Sequence, residues 1–477
     1  MVGSLELGKT LSFGFLNKER SVAALKYNRW LVPPAAIAIQ MSIGQLYAFS
    51  VFNLPLTRVA GGENRAAGDW TLATTGWIFS LAILCLGLTA AFTGKWLEEV
   101  GPRKAMFISA LLFGGGFCVS ALGIAWHQIA LLYLGYGVIG GIGIGIAYIS
   151  PVAALIKWFP DRPGMATGLS NMGFGGGAMI GSPLAIALMN HYAGRTSSGV
   201  AQTFVAMGLI YLAVMVAGAL AIRLPAPGWQ PRGYVAPTLG TATVTARNAL
   251  VSEAVRTRQF YLLWAMLCLN VTAGIGVLGQ ASPMIQEMFP GIITPMAAAA
   301  FVGLLSVFNM AGRFVWAAAS DHLGRRATYM IFFAAGMVLY ALIPAVGHAK
   351  NIALFVIFNC LIFSMFGGGF AAMPAYLRDT FGTAHVGAIF GRLLTAWSVA
   401  GVLGPLAIIY LRQFQIAHGV AKADAYSITM YAMAGLLVLG LACNIAMHAL
   451  EERRTAGRFE DEDVEVLEDL KEVSAAA

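Results

Sequence analysis

The chain has 477 residues, of which 58% are hydrophobic and 11% are charged, and its formal net charge at pH 7 is +8. This composition excludes an ordinary soluble domain, in which about a quarter of the residues are charged. Apolar runs of about 20 residues recur along the chain, and that length crosses a hydrocarbon core about 30 Å thick. The positive charge is therefore no argument for a nucleic-acid partner, and the lipid bilayer is the expected environment.

Twelve membrane-spanning helices are predicted, because each span must satisfy its own backbone hydrogen bonds. Residues 1–28 precede them and mix acidic with basic side chains, unlike a cleavable signal peptide. The predicted spans begin near Trp30, Trp70, Ala105, Ile129, Met165, Thr203, Phe260, Ala297, Thr328, Ile352, His385 and Ser427.

A polar segment, residues 224–259, separates six spans from six and divides the chain into two similar halves. We expect an all-α polytopic membrane protein with two pseudo-symmetric six-helix bundles, residues 29–223 and 260–449. An acidic cytoplasmic tail, residues 450–477, follows. Glycines and prolines recur at an offset of 223 residues, as when Pro151 aligns with Pro374. Such an internal repeat is typical of transporters that work by alternating access.

Two charged turns follow spans two and eight at this same offset. The first carries Glu98 and Arg103, and the second carries Asp321, Arg325 and Arg326. A carboxylate beside an arginine at a helix end can hold neighbouring helices together and release them as the halves move. We predict a gating role for both turns. An ordinary basic loop is the alternative.

The distribution of basic residues predicts the orientation in the membrane. Of 30 Lys and Arg residues, 22 fall on the termini and the even-numbered connections, which places both termini in the cytoplasm. Arg313 and Arg392 lie within spans. All five cysteines also lie within spans, so no disulfide framework or thiolate metal site is expected. No cofactor and no other metal site is predicted. The remaining basic residues are on the opposite loops, namely Arg58, Arg65, Arg195, Lys350, Arg412 and Lys422.

The charged turns read GKWLEEVGPRK, residues 94–104, and AAASDHLGRR, residues 317–326. They resemble the loop signature of the major facilitator superfamily, and the twelve-span plan extends that resemblance over the whole chain. Glu98 stands where the signature has Asp, Pro102 interrupts the first turn, and Ala317 replaces a glycine in the second.

Further stretches resemble the oxalate–formate antiporter family, a bacterial branch related to the monocarboxylate carriers. They read GQLYAFSVF at residues 44–52, KWFPDRPGMATG at residues 157–168 and FGRLLTAWSVAGVLGP at residues 390–405, together with Arg313 in span eight. The resemblance implies a carrier for formate, lactate, pyruvate or oxalate in a bacterial inner membrane, and it favours a monomer.

Arg313 is the leading candidate for binding such an anion. It lies about 12 Å along its helix from Asp321, and no Asp or Glu stands in the middle of a predicted span. An unpaired cation at that depth is costly, whereas a guanidinium can bind a carboxylate through two parallel hydrogen bonds. In the resembling exchangers an arginine at this position holds the substrate. The alternative is a structural arginine satisfied by carbonyls, water and Asn309.

Two departures from the resembling families bear on substrate charge and coupling. Oxalate exchangers carry a lysine in span eleven where this chain has Trp397, and Arg392 lies five residues nearer the cytoplasm, at the expected membrane edge. A single central cation suits a monoanion better than oxalate. Proton-coupled carriers have an Asp where this chain has Asn309, so anion exchange is expected. Proton-coupled or facilitated transport is the alternative.

Aromatic and amide side chains are expected to complete the binding site. The candidates are Tyr47 and Gln45 in span one, Tyr136 and Tyr148 in span four, Asn309 in span eight and Trp397 in span eleven. Tyr47 matches an aromatic residue of the resembling family. Helix packing is the alternative for the others.

The sequence contains no HExxH, GxSxG or Walker motif, so no enzyme activity is expected. A sensor that keeps the carrier fold and uses the acidic tail to bind a partner is a further alternative.

Overall fold

The computed structural model describes residues 16–59, 68–194, 198–231, 233, 249–382 and 385–450. Within these ranges, twelve helices are long and apolar enough to cross a membrane, which confirms the predicted number. They are α1 (Arg29–Leu56), α2 (Leu72–Phe92), α3 (Pro102–Ala125), α4 (Ile129–Trp158), α5 (Gly168–Tyr192), α6 (Val200–Ala221), α7 (Arg258–Met288), α8 (Pro295–Leu323), α9 (Arg325–His348), α10 (Ile352–Phe381), α11 (Val386–Ala417) and α12 (Ser427–Leu450).

The helices form two sets of six, α1–α6 and α7–α12, that meet along equivalent pairs. The most extensive contacts between the sets join α5 to α8 and α11 to α2. Exchanging the two sets converts one pair into the other, as expected for an internal repeat. The residue boundaries of the two domains stay a prediction.

Because the number of spans is even, α1 begins and α12 ends at the same membrane face. We call this the terminal face and the opposite one the distal face. Arg412, assigned from the sequence to a distal loop, lies inside α11, about one and a half turns before its distal end.

Glycines allow α8 to pack closely against α10. A Cβ atom on Gly312 would lie 2.0 Å from the Ser364 carbonyl oxygen, and one on Gly367 would lie 2.2 Å from that of Asn309. Neither position has room for a methyl group, so the backbones approach as closely as small residues permit. This contact sets the depth and direction of the middle of α8, where Arg313 lies.

Three of the long helices depart from regular α geometry. Residues Gly44–Phe52 of α1 form a 3₁₀ stretch, and Tyr133–Gly140 of α4 form a π-helical stretch. The helical run of α11 is interrupted at Leu394. Such irregular turns often occur at functional sites. Tyr47 lies in the first of them, and Trp397 follows the interruption by three residues.

Candidate functional site

Arg313 lies in the middle of α8, with a side chain that is 0% exposed. Its Nε donates a hydrogen bond of 3.0 Å to Oδ1 of Asn309, one turn earlier on the same helix. Among the described residues, its Nη1 and Nη2 atoms have no hydrogen-bond partner, and no carboxylate forms an ion pair with it. The guanidinium therefore retains the two nitrogens that it would use to bind a carboxylate.

Aromatic rings from both sets of helices surround the guanidinium. Its Cζ atom lies 5.8 Å from the ring centroid of Phe174 on α5 and 5.3 Å from that of Phe370 on α10. Trp397 packs edge-on against Tyr148 and Phe174, with centroids 5.1 and 5.5 Å apart. Tyr47 packs against Phe174 at 5.0 Å. We call this group the Arg313 cage, which consists of Arg313, Asn309, Tyr47, Tyr148, Phe174, Phe370 and Trp397.

The unpartnered polar atoms of the cage are all hydrogen-bond donors. Besides the two Nη atoms, they are Nδ2 of Asn309, Nε1 of Trp397 and the hydroxyls of Tyr47 and Tyr148. Both hydroxyls lie beside Arg313, near enough for an electrostatic and a weak hydrogen-bonding interaction with its guanidinium, but neither contact has the geometry of a regular hydrogen bond. A buried donor left without a partner costs about 1–3 kcal/mol, so this arrangement is suited to a small anion that accepts several hydrogen bonds.

The cage is buried, and contacts between the two sets of helices enclose it. Towards the distal face, Nδ2 of Asn53 on α1 donates to the Gly279 carbonyl of α7 at 2.7 Å. At the depth of Trp397, the Ser398 hydroxyl on α11 donates to the Leu84 carbonyl of α2 at 3.0 Å. Since Arg313 has no exposed surface, the conformation is an occluded one.

The structure does not bring two of the predicted site residues into the cage. The Tyr136 hydroxyl donates to Oε1 of Gln45 at 3.0 Å, and the Tyr136 ring packs against Phe49 and Phe117 at 4.8 and 5.2 Å. These contacts lie within the first set of helices. Gln45 and Tyr136 therefore belong to the interior of that set.

Arg392, the second basic residue within a predicted span, lies away from the cage. Its side chain is exposed, and its Cζ atom stacks 4.6 Å from the ring centroid of Phe92 at the terminal end of α2. This contact joins α11 to α2, and so the two sets of helices, near the terminal face. Arg392 therefore contributes no charge to the cage.

Sequence reasoning missed Phe174 and Phe370, although both carry a readable signal. Phe174 interrupts a run of glycines at residues 173–177, and Phe370 directly follows glycines at residues 367–369. A large ring beside residues without side chains is well placed to fill the space between helices. By contrast, Tyr47 was predicted from the resemblance to a known family, and Arg313 was predicted from its charge within a span.

The charged turns hold helices together within each set. Arg325 pairs with Asp321 at 2.5 Å and with Asp379 at 3.3 Å, joining the terminal ends of α8, α9 and α10. Arg103 donates to the carbonyls of Arg20 and Ile222, each at 3.1 Å. The Glu98 side chain lies outside the described residues.

Arg326 occupies the position of Arg103 in the second repeat but makes different contacts. Its described hydrogen bond is to its main-chain carbonyl, which accepts from Nδ2 of Asn444 at 3.1 Å. The described contacts of these turns stay within one set of helices in this conformation. Asp379, which pairs with Arg325, was not among the residues predicted from the sequence.

Comparison with known proteins shows the family. The model of the Major Facilitator Superfamily matches residues 27–405. The oxalate:formate antiporter of Oxalobacter formigenes is 25% identical over 383 residues, covering 79% of this chain and 83% of the antiporter. Apicoplast pyruvate carrier 1 of Toxoplasma gondii is 25% identical over 443 residues, covering 80% of this chain and 77% of the carrier.

The fold is shared with solved structures at lower identity. The crystal structure of a D-xylose-proton symporter superposes with a TM-score of 0.63 at 15% identity, covering 88% of this chain and 97% of the symporter chain. The family match spans both sets of helices, and the relatives carry solutes across membranes. The chain therefore belongs to the Major Facilitator Superfamily and is a multi-pass membrane transporter, not an enzyme.

Proposed function

We propose that this transporter carries small carboxylate anions by alternating access, with Arg313 binding the carboxylate group. The observation that carries the proposal is a fully buried guanidinium whose two Nη atoms have no partner among the described residues. The similarity to an oxalate:formate antiporter and to a pyruvate carrier supports the same class of substrate.

In the proposed complex, the two carboxylate oxygens accept one hydrogen bond each from Nη1 and Nη2. Such a charge-assisted pair is stronger than neutral hydrogen bonds and fixes the plane of the carboxylate. The Tyr47 and Tyr148 hydroxyls and the Trp397 indole supply further donors. The rings of Phe174 and Phe370 form an apolar wall that limits the size of the remaining group.

The charge of the cage favours a monoanion. Arg313 is the one cation among the residues that form it, and Trp397 is neutral where oxalate exchangers have a lysine. A second carboxylate would enter this site without a cationic partner, at the desolvation cost of a buried charge. Formate, lactate or pyruvate are therefore the expected substrates ahead of oxalate.

Exchange of one anion for another follows from the same imbalance of charge. Without an anion, the carrier would have to change conformation while Arg313 remains unpaired in a low-dielectric interior. Asn309 accepts from Arg313 but cannot take up a proton, which argues against proton coupling by that route. The terminal face would lie in the cytoplasm of a bacterium, by the positive-inside bias.

The test is uptake of labelled formate, lactate, pyruvate and oxalate into proteoliposomes that are either empty or preloaded with each anion. Wild type is compared with Arg313→Gln and with Arg392→Gln. The second variant removes an exposed cation from a span without touching the cage, and so serves as the matched control.

We expect uptake into preloaded vesicles by wild type and by Arg392→Gln, and at least a tenfold loss for Arg313→Gln. That loss corresponds to about 1.4 kcal/mol or more, comparable with the loss of one hydrogen bond to a charged group. Carboxylate uptake that survives Arg313→Gln would contradict the proposed role of the arginine. Rapid uptake into empty vesicles would contradict obligatory exchange.

A further inference from the structure

A second charged site lies at the distal face, between the two sets of helices. It is a cavity of about 580 Å³ lined by residues from α1, α2, α7 and α11 and from the connections next to them. Because both sets contribute to its walls, the cavity lies at the seam between them on the distal face. We call it the distal vestibule, and its charged residues are Arg58, Glu287, Arg412 and Lys422.

The vestibule begins just outside the closure over the cage. Asn53 makes the closing hydrogen bond to Gly279, and the adjoining residues Leu54, Thr57 and Arg58 line the vestibule. Five residues separate Asn53 from Arg58, or about 7.5 Å if the rise were helical throughout. An anion approaching the cage from the distal face would meet the vestibule before it met Arg313.

Among the described residues that line the vestibule, Glu287 is the one carboxylate, and it is already neutralised. Glu287 accepts hydrogen bonds from Nη2 and Nε of Arg412 at 2.5 and 2.7 Å, and another from the Tyr426 hydroxyl at 2.7 Å. The Arg412 and Glu287 side chains are only 9% and 14% exposed. This partly buried pair removes the one group in the lining that would repel an anion.

The other two charged residues of the lining are basic and exposed. Neither Arg58 nor Lys422 forms an ion pair within the part of the chain that the structure describes. With Glu287 balanced by Arg412, these two cations give the described residues of the lining a net charge of +2. A cleft lined by one sign of charge concentrates ions of the opposite sign and accelerates their association.

We infer that the distal vestibule is a recruitment site for small organic anions, which Arg58 and Lys422 attract before the distal closure opens. This inference rests on the proposed transport of carboxylates through the Arg313 cage. The vestibule binds weakly, because both cations are solvated and screened by salt over about 8 Å at physiological ionic strength. Its contribution is to the rate of capture at low substrate concentration.

The test is the concentration dependence of carboxylate uptake from the distal side, measured at low and high ionic strength. The host is a cell that lacks its own uptake of the labelled anion. The double variant Arg58→Gln/Lys422→Gln removes both cations, and Arg58→Lys/Lys422→Arg keeps them. Lys350→Gln removes another exposed distal-face lysine that does not line the vestibule.

At low ionic strength we expect KM to rise about three- to tenfold in the neutralised double variant, with the maximal rate unchanged. The charge-keeping variant and Lys350→Gln should match wild type, and 0.5 M salt should abolish the difference. A KM equal to that of Lys350→Gln at low ionic strength would overturn the recruitment site while leaving Arg313-dependent uptake intact. An equal loss in the charge-keeping variant would also overturn it. Failure of wild type to transport any carboxylate would instead contradict the proposed function.

Discussion

Within the part of the chain that the structure describes, Arg313 makes one regular side-chain hydrogen bond, from Nε to Asn309, and its two Nη atoms have no such partner. This division of roles explains why an amide is useful at position 309. It accepts from the guanidinium and orients it without adding a negative charge. A carboxylate in the same place would neutralise Arg313 and compete with the substrate.

Asn309→Asp is therefore expected to weaken carboxylate transport at pH 7 by about ten- to a hundredfold. The reason is that a charge-assisted bond of about 1.5–3 kcal/mol would form inside the protein. Transport should recover as the pH falls and the new carboxyl takes up a proton. The measurement is the pH dependence of anion uptake in proteoliposomes.

Asn309→Ala is the control, since it removes the amide without adding a titratable group. It should lower transport at every pH and show no recovery in acid. Equal transport by Asn309→Asp and wild type at pH 7 would mean that the guanidinium does not need its positive charge for the substrate.

At the scale of single residues, the sequence predicted which side chains have suitable chemistry better than it predicted which helix face they lie on. The charge of Arg313 identified α8 from the sequence, but Gln45 and Tyr136 were grouped with the site by composition alone. Twelve residues separate Tyr136 from Tyr148, which turns an ideal α-helix by about 120° beyond whole turns. Gln45 and Tyr47 are two residues apart and cannot share a face. The structure accordingly places only Tyr47 and Tyr148 in the cage.

At the scale of helices, the position of Arg313 depends on the lack of a side chain on α5. The Ser306 hydroxyl of α8 donates to the Gly175 carbonyl at 2.5 Å. A Cβ atom on Gly175 would lie 2.7 Å from Oδ1 of Asn309 and 3.1 Å from Nε of Arg313. The glycines of α5 thus allow the guanidinium and its amide partner to pack against a bare helix surface.

Gly175→Ala is expected to reduce carboxylate uptake by about tenfold or more, because it would displace the Asn309–Arg313 pair. Small misplacements in a binding site have large kinetic effects. Gly168→Ala on the same helix is the matched control, since a Cβ atom there meets nothing within 4 Å. Both variants should be produced as monodisperse protein. Equal uptake by the two would show that the close packing at Gly175 is unimportant for transport.

The helices themselves were predictable to within three residues at their starts, because hydropathy marks membrane entry clearly. Their internal irregularities were not. Gly44 begins the 3₁₀ stretch of α1, and a Cβ atom there would lie 2.3 Å from the Phe174 carbonyl oxygen. That geometry depends on contact with another helix, which no local sequence pattern reports.

At the scale of the whole molecule, the internal repeat predicted that the two halves are related by symmetry. The two main interfaces between the halves follow that symmetry. The α5–α8 and α11–α2 pairs are exchanged by the repeat, and the cage takes Phe174 from α5, Arg313 from α8 and Trp397 from α11. The charged turns were expected to act as gates. In this occluded conformation their described contacts hold helices within each set, as Arg325 does for α8, α9 and α10. The predicted acidic tail, residues 450–477, lies outside the described residues except for its first residue.

A binding site of this kind should leave the protein less stable than it would be without the arginine. An uncompensated buried charge is costly, so its removal is expected to be neutral or stabilising, whereas removing one partner of a buried ion pair is strongly destabilising. A carboxylate that binds the folded state should in turn stabilise wild type, by about 2.7 kcal/mol at one hundred times its Kd.

The most direct measurement is therefore the thermal unfolding temperature of purified wild type and Arg313→Gln, with and without saturating formate, lactate or pyruvate. We predict that Arg313→Gln unfolds at the same temperature as anion-free wild type or above it. We also predict that a carboxylate raises the temperature of wild type alone. A variant that unfolds below wild type and still responds fully to the carboxylate would contradict the account, because Arg313 would then be a structural residue and the anion would bind elsewhere.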